Sequence, residues 1–146
     1  MSRARLTYSA GNEHNPSDPF GRSVLAIEPD GAARLDHYAR FIEPRAWTGR
    51  VAPSALDRLW AALARAGFPD VPPHPIPASS TIRVLVAEAD GARQTAYVAW
   101  HAAENLPGYD EAFAILDALV RQLGEGDVWP TAPDLPAMVG EVRRVS

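Results

Sequence analysis

Pro53-Ser54-Ala55-Leu56-Asp57-Arg58-Leu59-Trp60-Ala61-Ala62-Leu63-Ala64-Arg65-Ala66-Gly67 is the stretch whose pattern decides the reading of the chain. Pro53 suits the first helical position, where its missing N–H costs nothing. Leu56, Leu59, Trp60 and Leu63 recur at i, i+3, i+4 and i+7, which places them on one apolar stripe with Arg58 and Arg65 opposite. Gly67 supplies a left-handed cap. The pattern predicts an amphipathic helix that ends there.

Downstream, a second helix is predicted from about Pro107-Gly108-Tyr109-Asp110 to Leu123, with Gly124 as its stop. Phe113, Leu116, Leu119, Val120 and Leu123 give it a broad apolar face. Asp117 and Arg121 read as an i,i+4 pair on its wet side. Between the helices, five prolines from Pro69 to Pro77 rule out a helix or a ladder and imply an extended connector. Residues 81–87 then read as a strand with Ile82, Val84 and Val86 on one face. Asp90-Gly91 turns the chain, and 93–100 returns with Ala96, Val98 and Trp100 sharing a face.

Upstream, residues 5–10 alternate weakly and 23–27 is apolar and β-branched. Asp30-Gly31 predicts a tight hairpin to 33–41, and 45–51 is a further short strand. Glu28-Pro29-Asp30-Gly31-Ala32 and Glu88-Ala89-Asp90-Gly91-Ala92 echo each other, each followed by a strand, a tryptophan (Trp47, Trp100) and a helix. Asp-Gly hairpins are common enough for the echo to arise without a duplication. The expected fold class is α+β: an antiparallel sheet of about five strands with two amphipathic helices on one face, in ββα–ββα order. A single domain over 1–128 is expected, and 129–146 is a proline-containing tail or an added edge strand.

Composition narrows the chemistry. The 146 residues include no cysteine, which excludes disulfides, thiolate zinc sites, iron–sulfur clusters and cysteine nucleophiles. All fourteen basic residues are arginines, so a Walker lysine, a Schiff-base lysine and an SxxK dyad are excluded too. The arginines are dispersed and the formal net charge is −4, which argues against a nucleic-acid partner. No apolar run has the length of a signal peptide core or a membrane span, so the expected location is cytoplasmic, with no membrane partner.

The first long loop concentrates polar chemistry: Asn12, Glu13, His14, Asn15, Ser17 and Asp18, followed by Arg22. Loops carry binding residues because the scaffold positions them free of core constraints. Side chains satisfying their own backbone would explain the same composition. His14, His37, His74 and His101 lack metal-site spacing. His101 and Glu104 would stand one turn apart only in a helix, and Pro107-Gly108 favours a loop there, with His74 solvated between prolines. No serine lies in a GxSxG elbow and no glycines form GxGxxG. Trp60 is expected in the core.

The expected function is a non-catalytic protein-interaction module of inhibitor, immunity or docking type, in a bacterial-like protein whose partner is another protein. The ββα–ββα layout resembles that of small bacterial inhibitor and immunity families, without a motif specific to any of them. Its expected contact surfaces are the 11–22 loop, the proline run and the sheet edge. The alternative is a small hydrolase or ligand-binding domain in which Glu13, His14, Asp18 and Arg22 meet His101 and Glu104. No cofactor is expected. A third possibility is a domain detached from a longer chain.

Overall fold

The computed structural model describes residues 4–11, 21–39, 42–75, 81–125 and 135–145. Its strands are β1 (Arg5–Gly11), β2 (Arg22–Ile27), β3 (Ala32–Ala39), β4 (Ile42–Val51), β5 (Ile82–Ala89), β6 (Ala92–Ala99) and β7 (Val139–Val145). The helices are α1 (Pro53–Ala66) and α2 (Tyr109–Leu123), with a short 3-10 helix at Trp100–Asn105 before α2. All seven strands join one antiparallel sheet in the order β6-β5-β1-β2-β3-β4-β7. The fold is α+β, as the periodicities predict, but with seven strands rather than about five. The short strand expected at 45–51 begins earlier and runs as 42–51 between β3 and β7, and within the 129–146 tail, residues 139–145 form an edge strand on β4. The order is therefore four strands, a helix, two strands, a helix and a last strand, not ββα–ββα.

Both helices end where the sequence predicts. Gly67 takes a left-handed φ of 84° and its N–H returns to the carbonyl oxygens of Leu63 and Ala64. The β5–β6 turn is two residues long. Asp90 at φ 51° and Gly91 at φ 78° supply the two positive angles that this hairpin needs, and Ala89 pairs with Ala92.

The period of two sorts each strand's side chains to opposite faces. Leu6 and Tyr8 of β1, Leu25 and Ile27 of β2, Leu35 of β3, Trp47 of β4 and Leu85 of β5 join one buried cluster with Leu56, Leu59 and Leu63 of α1 and Phe113, Leu116 and Val120 of α2. Both helices thus cover the same face. Trp60 is only partly buried and packs at the margin of this core. The two helices touch closely at Gly108, where a Cβ would stand 2.5 Å from the Ala66 nitrogen.

The opposite face carries Thr7, Ser9, Val24, Ala26, Arg34, Asp36, Tyr38, Thr48, Val84, Val86, Thr95 and Tyr97 by register. None of these belongs to the core cluster or packs against it, although Val86 is itself buried. No described helix lies on that face. The alternation predicted for Ile82, Val84 and Val86 holds, but this trio faces away from the core, and Arg83, Leu85 and Ala87 face into it.

Candidate functional site

The helix-bearing face of the sheet has a polar row at one end. Across the strands, Arg83 of β5 stands beside Ala10 of β1, then Ser23 of β2, His37 of β3 and Arg45 of β4. The next row inward (Leu85, Tyr8, Leu25, Leu35 and Trp47) is completely buried. The polar row therefore marks the place where the core gives way to the sheet end, next to Gly11 and Gly21, between which residues 12–20 connect β1 to β2.

Arg83 anchors the most developed cluster. Its Nη1 donates to Asp117 Oδ2 at 2.9 Å and Oδ1 at 3.1 Å, and also to the Tyr8 hydroxyl. Tyr8 in turn donates to Asp117 Oδ1 at 2.6 Å. The guanidinium carbon lies 3.5 Å from the Trp100 ring centroid and 4.8 Å from that of Phe113, so aromatic faces border the charge. Arg83 Nε is buried and has no hydrogen-bond partner among the described residues. Burial raises the Asp117 carboxyl above its ordinary value, and the Arg83 charge and the Tyr8 hydroxyl oppose that rise only in part. Burial, reinforced by the Asp117 charge, pushes the Tyr8 hydroxyl well above the ordinary tyrosine value.

This geometry suits a structural tie. Both Asp117 oxygens are engaged, and Tyr8 is held as a proton donor rather than as a phenolate nucleophile. The tie links α2 to β1 and β5. Asp117 is thus buried, not on the wet side of the helix where an i,i+4 partnership with Arg121 would put it. The signal for this lay in the sequence: Phe113 at −4, Leu116 at −1 and Val120 at +3 surround Asp117 with the helix's apolar stripe.

In the same row, Ser23 Oγ and His37 Nδ1 lie 2.8 Å apart. A hydroxyl within hydrogen-bond reach of an imidazole is the elementary unit of nucleophilic catalysis. Here the residues are 1% and 3% exposed, and a nucleophile sealed to that degree has no room for an electrophile. The pair satisfies two buried polar groups instead.

Of the residues picked out by sequence, Glu13, His14 and Asp18 lie outside the described residues. Arg22 lies on the helix-free face, where its Nη2 donates to Ser9 Oγ at 3.2 Å across the β1–β2 pair. His101 and Glu104 fall within the 3-10 helix rather than in a loop. Glu104 is exposed, and the His101 side chain is outside the described residues. The 3-10 helix belongs to the other side of the molecule from Arg22, because its Ala103 enters the core cluster. Among the described residues, no group of three His, Asp or Glu side chains is disposed to hold a metal ion, and no helix is long and apolar enough to cross a membrane.

His74 is not simply solvated. Its Nδ1 lies 2.9 Å from the Pro72 carbonyl oxygen, and its Nε2 accepts the Ala99 N–H at 3.1 Å. The first bond makes Nδ1 the protonated nitrogen, which leaves Nε2 as an acceptor. An imidazole from the proline-rich segment thereby caps the last backbone donor of β6.

The helix-free face is the other surface of note. Among the described residues, Tyr97 and Tyr38 are the large apolar side chains left exposed, at 58% and 41%. Between and beside them, Val84, Ser9, Val24 and Asp36 form one cross-strand row, with Val86, Thr7, Ala26 and Arg34 in the next. Ion pairs join Arg5 to Glu28 at 3.2 Å, Arg34 to Asp36 at 3.0 Å and Arg50 to Glu141 at 3.6 Å. Arg93 and Arg143, on the two outer strands, have no partner among the described residues. No protein-family model matches this chain, and no curated protein is similar to it.

Proposed function

We propose that this chain is a protein-interaction module that docks a partner on the helix-free face of its sheet. The observation behind the reading is the composition of that face. Its centre is small and uncharged (Val84, Ser9 and Val24 in one row, Val86, Thr7 and Ala26 in the next), Tyr38 and Tyr97 stand out from it, and arginines border it. An antiparallel sheet with one solvated face ordinarily alternates apolar-in with polar-out. A face carrying valines and tyrosines on its outer side resembles the anatomy of an interface: an apolar, aromatic centre and a polar rim. Arg93 and Arg143, without a partner among the described residues, favour a partner whose matching rim is acidic, although the chain as a whole carries a formal charge of −4.

The test is site-specific photo-crosslinking in the native cell. Photoreactive residues are placed at Val24, Tyr38 and Val84, with controls at Arg58 and Ala61 on the exposed side of α1. The reading expects one partner band from the sheet positions, absent from the α1 positions and lost in Val24→Arg. Crosslinks from α1 alone, or none from the sheet in cells where the chain is active, would refute it.

A further inference from the structure

The sheet has two outer strands, and they are built differently. β7 is interrupted. Glu141 adopts a left-handed φ of 56°, the register to β4 shifts between Thr48 and Arg50, and Arg143 and Arg144 follow. Bulges and charges of this kind protect an edge from pairing with another chain. β6 has no such break. It pairs with β5 in unbroken register from Ala92 to Ala99 and contains neither proline nor glycine.

The hydrogen-bonding direction of β6 follows from its ends. Ala89 and Ala92 close the two-residue hairpin, so Ala92, Gln94, Ala96 and Val98 point their backbone groups toward β5. Arg93, Thr95, Tyr97 and Ala99 point theirs outward. The Ala99 N–H confirms the alternation, because it leaves the sheet to meet His74. At the other end, the Asp90-Gly91 turn limits the strand. What remains open is a window from Arg93 to Tyr97, centred on Thr95, and among the described residues its outward backbone groups have no partner.

We infer that this window pairs with the same window of a second copy, antiparallel about a two-fold axis at Thr95. Thr95 then faces Thr95 of the other copy, and Arg93 faces Tyr97 in both directions. Each hydrogen-bonded pair exchanges two bonds, so the three pairs supply about six. The register is self-complementary on the helix-free face, where it sets each Arg93 guanidinium against the exposed ring of the opposite Tyr97. Neighbouring registers fit worse. A shift by two residues toward the strand's end spends a pairing on Ala99, which His74 already occupies. A shift by two the other way keeps only the two Arg93–Thr95 pairs, because Tyr97 then faces Gly91 in the turn, and a shift by four that way sets Arg93 against Arg93. The pairing joins two seven-stranded sheets into one. It does not rest on the partner-docking reading, since it uses the edge of the sheet rather than its face.

The absence of cysteine from the chain makes the test clean. Sedimentation velocity of the full chain should show a concentration-dependent dimer. Thr95→Cys, mildly oxidised, should crosslink to itself, because hydrogen-bonded antiparallel pairs hold Cα atoms about 5.5 Å apart, within disulfide range. Arg34→Cys, exposed on inner strand β3, is the control and should not. Thr95→Arg opposes two like charges across the axis and should weaken dimerisation at least tenfold. Thr95→Pro removes only an outward N–H, so it should give a monomer whose melting curve matches that of the wild type diluted to where it is monomeric. Should the proline variant fail to fold, the arginine variant decides alone. A wild-type chain that stays monomeric at about 100 µM overturns the inference. So does a dimer indifferent to Thr95→Arg, or a Thr95→Cys that crosslinks no faster than the control.

Discussion

Asp117→Leu and Arg83→Met remove opposite halves of one buried ion pair, yet their costs should differ in kind. Both side chains are more than nine-tenths buried. Asp117→Leu strands a guanidinium between Trp100 and Phe113, and a guanidinium cannot shed its proton. The expected loss is about 3–5 kcal/mol, flat from about pH 5 to pH 8. Arg83→Met strands a carboxyl, which has an escape: it takes up a proton and keeps its hydrogen bond with Tyr8. Without Arg83, only the Tyr8 hydroxyl still opposes the upward push of burial, so the folded carboxyl titrates still further above its unfolded value of about 3.8. A raised folded value means the folded state binds the extra proton. The group's contribution is therefore complete below the unfolded value and is lost as pH rises through the window up to the folded one. The slope approaches about 1.4 kcal/mol per pH unit inside that window, so the cost of Arg83→Met should be larger near neutral pH than near pH 4. Urea unfolding followed by far-UV circular dichroism at about pH 4.5 and pH 7.5 reads both variants. The double variant, with the pair replaced by apolar groups of similar size, should recover at least ~2 kcal/mol relative to the sum of the singles. An Arg83→Met penalty equal at both pH values, or an Asp117→Leu penalty under ~1 kcal/mol, refutes the role assigned to this cluster.

Other positions offer sharper contrasts. Gly49→Ala should cost ~1–3 kcal/mol, because its Cβ meets Leu123 Cδ2 at 2.6 Å, whereas nothing stands within 4 Å of a Cβ at Gly140, and Gly140→Ala should leave the thermal midpoint nearly unchanged. His74→Ala frees the Ala99 amide, and hydrogen exchange at that amide should speed up by roughly fivefold, equivalent to one hydrogen bond of about 1 kcal/mol, while the β5–β6 ladder amides keep their protection. Tyr109→Phe deletes a 2.6 Å bond to the Asp70 carbonyl oxygen and should cost ~1 kcal/mol in urea unfolding at neutral pH. Burial pushes the Tyr109 hydroxyl up to about 12, so the wild type should lose stability between pH 10 and 12 through this group, and the phenylalanine variant should lack that component.

The candidate cluster shows where sequence reasoning stops short. Asp117 was accessible to it, since an acid flanked at −4, −1 and +3 by Phe113, Leu116 and Val120 belongs to the buried stripe. Tyr8 and Arg83 were not. They are 75 residues apart, and their meeting depends on β1 lying next to β5 with Ala10 opposite Arg83. The same holds for Ser23 and His37, neighbours only through the β2–β3 register.

The local code of this chain determined the segments that need no distant partner to form. Leu56, Leu59, Trp60 and Leu63 with the Gly67 cap, the Phe113–Leu123 stripe and the tight Asp90-Gly91 hairpin are all legible, because helix period, capping and positive φ act over a few residues. At Asp30-Gly31 the chain also turns back, but only Gly31 takes a positive φ and the turn is longer. Tertiary structure decided which face of each strand is the inner one. Ile82, Val84 and Val86 are more apolar than Arg83, Leu85 and Ala87, yet it is Arg83's side of β5 that turns toward the helices. Alternation tells two faces apart but does not say which one the helices cover, and a buried arginine is stable only where Asp117, Tyr8 and Trp100 already wait for it. Nor does a segment such as 139–145 declare itself a strand until β4 offers a ladder, since its backbone bonds are all made to another part of the chain.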